Sequence, residues 1–283
     1  MNARIPWWLK LSTKLVLARL PLGYSVWQRL GLFRHGCMDT SAYATEVFDA
    51  HMERAGMKGA LRGKTILEIG PGDSISTAIV GATHGARAIL VDSGAFVRSD
   101  VKIYIQLTEA LARKGFQPPS LSSCRTIEEI LDRCNAKYMT EGLQSLRQID
   151  THAVDLIFSQ AVLEHVRKHD FLETMRECRR ILRPGGVCSH RVDLRDHLGG
   201  ELNNLRFSEW IWESKFFVTG GFYTNRISYG TMVRLFEQAG FNVDVLSVRR
   251  WDRLPTGKRK LAKQFASTSD EELCVSGFDV LLQ

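Results

Sequence analysis

The sequence predicts an α/β fold of three layers, a mainly parallel sheet between two layers of helices. Three observations carry that prediction. Short apolar runs of strand length alternate with amphipathic helical stretches, the pattern of parallel strands joined by crossover helices. The first run, Thr65–Ile69, ends in a tight Gly70-Pro71-Gly72 turn. The last two runs have the alternating character of an antiparallel pair at one sheet edge. A chain of 283 residues has room for one large domain of this kind with embellishments.

In order, residues 6–20 read as a helix stopped by Pro21 and Gly23, residues 24–33 as a second short helix and 42–56 as a third, ending at Gly56. These make residues 1–58 an N-terminal helical cap on an α/β domain spanning 59–283. Strand 65–69 is followed by a helix over 75–83 and strand 88–91, which ends at Asp92. Residues 97–137 are longer than a crossover needs and read as an insertion, with helices over 100–114 and 126–135 around a Pro118-Pro119 turn. Strand 154–159, a helix over 168–182 closed by Arg183-Pro184-Gly185-Gly186, and strand 187–192 come next. Residues 194–228, aromatic and polar, read as a second insertion. A helix over 229–239 and strands 241–248 and 275–282 complete the chain.

Composition narrows the function. No window holds 18 uninterrupted apolar residues, so no spanning helix is expected. Six cysteines without a CxxC pair give no zinc-ribbon or iron–sulfur pattern, and reduced thiols in a cytoplasmic compartment are expected. The net charge is +7, but Arg4, Lys10, Lys14, Arg19, Arg29 and Arg34 stand in residues 1–38 with no Asp or Glu beside them. The rest of the chain is nearly neutral, whereas a protein gripping nucleic acid spreads its excess widely. Three readings of that segment are open: a cap packed on the core, a helix lying on an anionic membrane with Trp7, Trp8, Leu11 and Leu15 inserted, and a targeting peptide.

Glu68-Ile69-Gly70-Pro71-Gly72-Asp73-Ser74 is the most informative stretch. A glycine turn between strand and helix lets a ligand approach the backbone. Asp92 ends the second strand 20 residues beyond Gly72, where a carboxylate can bind both ribose hydroxyls of a nucleoside cofactor. The third glycine of a dinucleotide fingerprint is absent, Ile75 standing there. The carboxylates of Glu68 and Asp73 would repel a pyrophosphate but suit a sulfonium and an amino group.

EIGPGDS resembles the first motif of class I S-adenosylmethionine-dependent methyltransferases, E/DxGxGxG, with Ser74 in place of the third glycine. Asp92 matches the family's acidic residue after the second strand. VDLIFSQAVLEHV, residues 154–166, resembles the fourth-strand region of the small-molecule subgroup, and ILRPGGV, residues 181–187, its turn before the fifth strand. The resemblance covers residues 60–192 and 229–283. It implies a Rossmann-like sheet of seven strands that binds S-adenosylmethionine. It places Glu68, Gly70, Pro71 and Gly72 at the methionine end, Asp92 on the ribose, Ser93 by the adenine, and Ser159 and Gln160 toward the sulfur. His165 recurs in the family pattern and is expected near the cofactor pocket. The family's acidic pair after the third strand is missing; Glu141-Gly142-Leu143 stands there, so Gly142 and Leu143 are the adenine-side candidates.

Ligands of open α/β sheets bind beyond the carboxyl ends of the strands. There the segment Ser189–His197 crowds titratable groups. His190 and His197 are candidate general bases for an alcohol acceptor, and Asp193 is a partner for one of them or a ligand for the acceptor. An ordinary salt-bridged loop is the alternative reading. A metal held by His190, Asp193 and His197 is not expected, since imidazole rarely binds magnesium. In the second insertion Asn203, Arg206, Trp210, Tyr223 and Arg226 suit a sugar, phenol or extended polar acceptor; a satellite aromatic core is the alternative. Ser159-Gln160-Ala161-Val162 stands where enzymes methylating base amino groups carry Asp/Asn-Pro-Pro-aromatic, and Val187 precedes Cys188 where cytosine C5 enzymes have Pro-Cys. The expectation is methyl transfer to a small-molecule or glycan-type acceptor, at oxygen, with an RNA or protein methyltransferase and an inactive nucleoside-binding scaffold as alternatives.

Overall fold

The computed structural model describes residues 6–20 and 40–283. The helix expected over 24–33 lies outside the described residues. Seven strands form one sheet: β1 Thr65–Ile69, β2 Arg87–Val91, β3 Lys137–Met139, β4 Val154–Gln160, β5 Leu182–Asp193, β6 Val243–Arg250 and β7 Val275–Leu282. Their spatial order is β3-β2-β1-β4-β5-β7-β6. Strands β3 to β5 pair in parallel, with Ile66 opposite both Ala88 and Leu156. β7 runs antiparallel to both neighbours, β5 and β6. The sheet reverses between β1 and β2 on one side and β4 on the other, and a reversal of that kind opens a crevice at the carboxyl ends.

Among the described residues the helices are α1 Trp7–Leu17, α2 Ser41–Arg54, α3 Ser76–Thr83, α4 Val101–Arg113, α5 Ile127–Arg133, α6 Leu143–Arg147, α7 Phe171–Ile181, α8 Glu209–Trp212, α9 Lys215–Val218, α10 Tyr229–Gln238 and α11 Asp270–Leu273. Two cores sandwich the sheet. On one face Phe48 and Met52 of α2, Ile79 of α3 and Leu107 and Leu111 of α4 cover Ile66, Leu90 and Phe158. On the other, Phe171 and Met175 of α7 and Met232 and Phe236 of α10 cover Leu67, Ile157, Cys188 and Val280. α2, grouped from sequence with the N-terminal cap, thus lies on the sheet itself. Burying Phe48 and Met52 there contributes about 1.5–3 kcal/mol each.

Local chemistry sets the starts of the helices. Asp100 accepts from Lys102 N at 3.1 Å at the head of α4, and Thr126 accepts from Glu129 N at 3.2 Å at the head of α5. Both satisfy amides that the first helical turn leaves open. Residues 97–137 therefore hold the β2–β3 crossover as two helices. Two sequence expectations shift. β3 is only three residues long, and no apolar run announces it. β5 begins at Leu182, paired with Val154, and a register shift between Val154 and Leu156 absorbs the Arg-Pro-Gly-Gly segment into the strand.

Candidate active site

The glycine turn after β1 is shaped by positive backbone angles, φ +72° at Gly70 and +63° at Gly72, which glycine adopts without steric cost. Gly70 N donates to Val91 O at 2.8 Å, tying the turn to β2. Asp92 closes it further. Its Oδ2 accepts from Gly72 N at 2.9 Å and its Oδ1 from Ser93 N at 2.7 Å, while its backbone oxygen accepts from Gly142 N at 2.8 Å. Ser93, Gly142 and Leu143 are thereby gathered beside Asp92. Ser74, where a third glycine was expected, accepts from Ser76 N at 3.1 Å and starts α3. Glu68, on β1 below the turn, is 2% exposed, and its Oε2 has no partner among the described residues. Burial pushes its carboxyl up to about 8, with the Asp92 charge adding to the rise.

A cleft of about 360 Å³ opens at the carboxyl ends of β4 and β5, between them and α2. Tyr43, Glu46, Gln160, Arg191, Asp193 and Arg249 are among its lining residues. Its back wall is a chain of side chains from three elements. His51 Nδ1 lies 2.8 Å from Ser189 Oγ, and His51 Nε2 lies 3.2 Å from Gln160 Oε1. The amide oxygen only accepts, so Nε2 carries the proton and Nδ1 accepts from the serine. Gln160 Nε2 in turn donates to Tyr43 Oη at 3.4 Å, leaving the tyrosine proton free to donate. Burial, then Arg54, lowers the imidazole of His51 to about 4, so the chain stays neutral at physiological pH. Asp193 is gripped by Arg195 at 2.9 and 2.6 Å. Burial raises its carboxyl, but the arginine outweighs that and holds it below the usual value.

His197, two residues beyond the cleft-lining Arg195, stacks on His165 with ring centroids 4.8 Å apart and Nε2 atoms 3.1 Å apart. His165 Nδ1 lies 2.8 Å from Tyr223 O. A carbonyl accepts only, so Nδ1 of His165 holds the proton. In the neutral pair, Nε2 of His165 then accepts from Nε2 of His197, which leaves a lone pair on Nδ1 of His197.

The methyltransferase-domain family model matches residues 41–246. The chain belongs to this family. It is an S-adenosylmethionine-dependent methyltransferase. No curated protein matches its sequence. Among solved structures, a S-adenosylmethionine-dependent methyltransferase from Mesorhizobium loti is 17% identical, with 78% of this chain and 91% of that chain covered and a TM-score of 0.43. One from Methanosarcina mazei is also 17% identical, covering 78% and 92%, with a TM-score of 0.42. An arsenic(III) S-adenosylmethionine methyltransferase from Chlamydomonas reinhardtii is 14% identical, covering 78% and 62%, with a TM-score of 0.43.

The methyltransferase departs from the sequence reading at several candidate positions. His190 is fully buried and stacks on Phe236 of α10 at 6.5 Å, its Nδ1 2.8 Å from Ser159 Oγ. Successive strand residues face opposite sides, so Arg191 and Asp193 line the cleft while His190 points to the other face. Burial, with the charge of His51, lowers its imidazole to about 3. His190 therefore does not line the cleft, and Ser159 is turned away with it.

The second insertion is mostly a satellite core. Trp212, Phe222 and Tyr223 pack with Leu198 and with Leu11 of α1. Tyr223 Oη donates to Glu213 at 3.0 Å. The Arg226 side chain is 1% exposed, paired with Glu209 and donating to Phe207 O at 2.7 Å. Arg206 donates to Asn203 Oδ1 at 2.9 Å and covers the ring of Trp7. The polar groups of Asn203, Arg206, Tyr223 and Arg226 are thus engaged with one another and with the insertion, and they hold structure instead of acceptor. Trp210 alone of this set is open, at 85% exposure. Sequence reasoning missed Tyr43, Glu46, His51 and Arg191. The signal for the first three was their spacing on one α2 face, near i, i+3 and i+8.

Proposed function

We propose that this methyltransferase modifies an oxygen of a small-molecule or glycan-type acceptor bound in the cleft between α2 and the ends of β4 and β5, with His197 as general base. The observation that carries the reading is the His165–His197 pair, whose hydrogen bonding leaves Nδ1 of His197 as an open acceptor at the edge where the strands end. S-adenosylmethionine supplies an electrophilic methyl group on a sulfonium. The chain's residues fit such a molecule: Glu68 presents an orphaned, buried carboxylate oxygen to a cationic group, Asp92 stands ready for ribose hydroxyls, and Gly142 and Leu143 flank it on the adenine side.

The protein's own part is positioning and proton removal. Methyl displacement from an activated donor needs alignment more than covalent help. Tyr43, held by Gln160, donates a hydrogen bond into the cleft and orients the acceptor. Arg191, whose guanidinium has no hydrogen bond or ion pair among the described residues, offers it to a polar or anionic group of the acceptor. His197 takes the hydroxyl proton, and His165, anchored on Tyr223 O, fixes its tautomer.

Purified enzyme given isotopically labelled methyl donor and fractionated glycan and metabolite pools identifies the acceptor by mass. On that acceptor, His197→Ala is expected to keep S-adenosylhomocysteine affinity and to lose about 10²–10⁴-fold in turnover, while His190→Phe is expected to keep turnover. Full turnover by His197→Ala would remove both the base and the preference for oxygen.

A further inference from the structure

Helix α1 is apolar on its outer face as well as its inner one. A surface helix normally turns its apolar stripe to the core and its charges to water. At about 100° per residue, the inner stripe of α1 carries Trp7, Leu11, Lys14 and Leu15. Leu11 is buried against Trp212 and Phe222, and Trp7 meets the edge of Phe207 at 6.2 Å. Lys14 on this inner stripe donates to Gly221 O at 3.3 Å. The helix is therefore seated on the second insertion.

The outer stripe carries Trp8, Leu9, Ser12, Thr13 and Val16, with no charge within the helix. Trp8 is 55% exposed and Val16 64%. Lys10 borders the stripe, and Arg19 follows the end of the helix. Arg19 stands over the ring of Phe216 at 3.5 Å and donates to its carbonyl at 2.7 Å, so the half-exposed Phe216 extends the apolar band onto the body of the enzyme. No acidic residue occurs anywhere in residues 1–38.

An uncharged stripe of tryptophan and aliphatic side chains rimmed only by cations matches one environment chemically: the interface of an anionic phospholipid bilayer, where apolar groups insert to the acyl boundary and Lys and Arg meet phosphates. We infer that the outer face of α1, with Phe216, docks the enzyme on an anionic lipid surface. A second copy of the same face would cover the apolar residues but would set cations against cations. Because α1 rests on the insertion that also holds Tyr223, the anchor of His165, docking sets the carboxyl edge of the sheet beside the bilayer. The inference is independent of the assignment of His197.

Full-length protein is sedimented with vesicles of equal parts phosphatidylglycerol and phosphatidylcholine, and with phosphatidylcholine alone. It is expected to pellet with the first, to lose binding as salt rises, and not to pellet with the second. Trp8→Glu/Val16→Glu is expected to lower the bound fraction about tenfold, as carboxylates enter a face that must insert beside anionic headgroups. Leu246→Glu, on the distant edge strand β6, leaves binding unchanged. S-adenosylhomocysteine calorimetry on each variant reports the fold. Should the double variant lose that affinity, Ser12→Glu/Thr13→Glu charges the same stripe without touching an apolar side chain. Absence of pelleting at low salt, equal pelleting by a folded charged variant, or a lipid-free self-association abolished by the same substitutions would each overturn the inference.

Discussion

Gly70→Ala tests why the turn after β1 needs glycine at all. A Cβ built on Gly70 would lie 2.5 and 2.6 Å from the two γ-methyls of Val162, in the loop after β4. Contacts that short force a shift, and overpacking of this kind costs about 1–3 kcal/mol. The backbone adds a second cost, since φ is +72° and an alanine in the left-handed region is disfavoured by about 1–2 kcal/mol. The single variant should therefore lose about 2–5 kcal/mol, summing those two effects. Val162→Ala alone loses methyl burial, about 0.8 kcal/mol per carbon. In Gly70→Ala/Val162→Ala the two methyl overlaps are gone, leaving a 3.1 Å contact to the Val162 Cβ position, the lost methyl burial and the backbone cost, so the two sites should couple favourably by about 1–3 kcal/mol. Urea unfolding of the four proteins gives the cycle, and S-adenosylhomocysteine calorimetry should follow it, weakened in the single variant and partly restored in the double. Strict additivity would refute the reasoning: Val162 would then not be what excludes a side chain at Gly70.

Asp92→Asn should keep one backbone hydrogen bond and lose part of the cofactor affinity, whereas Asp92→Ala strands Gly72 N and Ser93 N and should also lose about 1–3 kcal/mol of stability; unfolding of the cofactor-free variants separates the two. Glu68 has a folded value of about 8 against an ordinary 4.5, so its contribution is fully present in acid and is lost as pH rises toward 8, by at most about 1.4 kcal/mol per pH unit. Glu68→Gln should flatten that part of the stability profile, and calorimetry in buffers of different ionisation enthalpy should show proton release on S-adenosylmethionine binding at neutral pH in the wild type only. His197 is held below the ordinary histidine value by burial first and by Lys14 next, against the opposing charges of Asp193 and Asp196. Since only the neutral ring accepts a proton, the acid limb of the rate should fall below the ordinary range, and Lys14→Met should move it to higher pH; an unmoved limb would separate the two residues.

The sheet was legible wherever one strand is one continuous apolar run, as in Thr65–Ile69 and Val154–Ser159, because a strand buried on both faces leaves no alternation to misread. Lys137–Met139 was only implied by the position of Glu141-Gly142-Leu143 after it, because one exposed and two half-buried residues at a sheet edge carry no such signal. The start of β5 was hidden by Arg-Pro-Gly-Gly, which reads as a turn and is instead taken up by a register shift. The glycine turn and Asp92 could be found because their partners follow within one βαβ unit. The cleft could not. Its wall joins His51 to Ser189 and Gln160, 138 and 109 residues away. His190 was placed at the right end of the right strand but on the wrong side of it, since a shift of one residue in strand parity exchanges the faces. Arg226 and Tyr223 have the composition of a binding surface; only the packing shows that their polar atoms are already taken, by Glu209 and Phe207 O and by Glu213.

The position of β7 bears on how the molecule is made. It sits between β5 and β6 and pairs with both, and Asn242 and Gln283 exchange backbone hydrogen bonds at its far end. On the ribosome, β1 to β5 can assemble as they emerge, but β6 has no neighbour to join until residues 275–282 are free of the exit tunnel. Until then β5 and β6 each present an unpaired strand margin, the species most prone to wrong association during synthesis. Residence time of the nascent chain, rather than the strength of any finished contact, would then govern how much active enzyme a cell obtains.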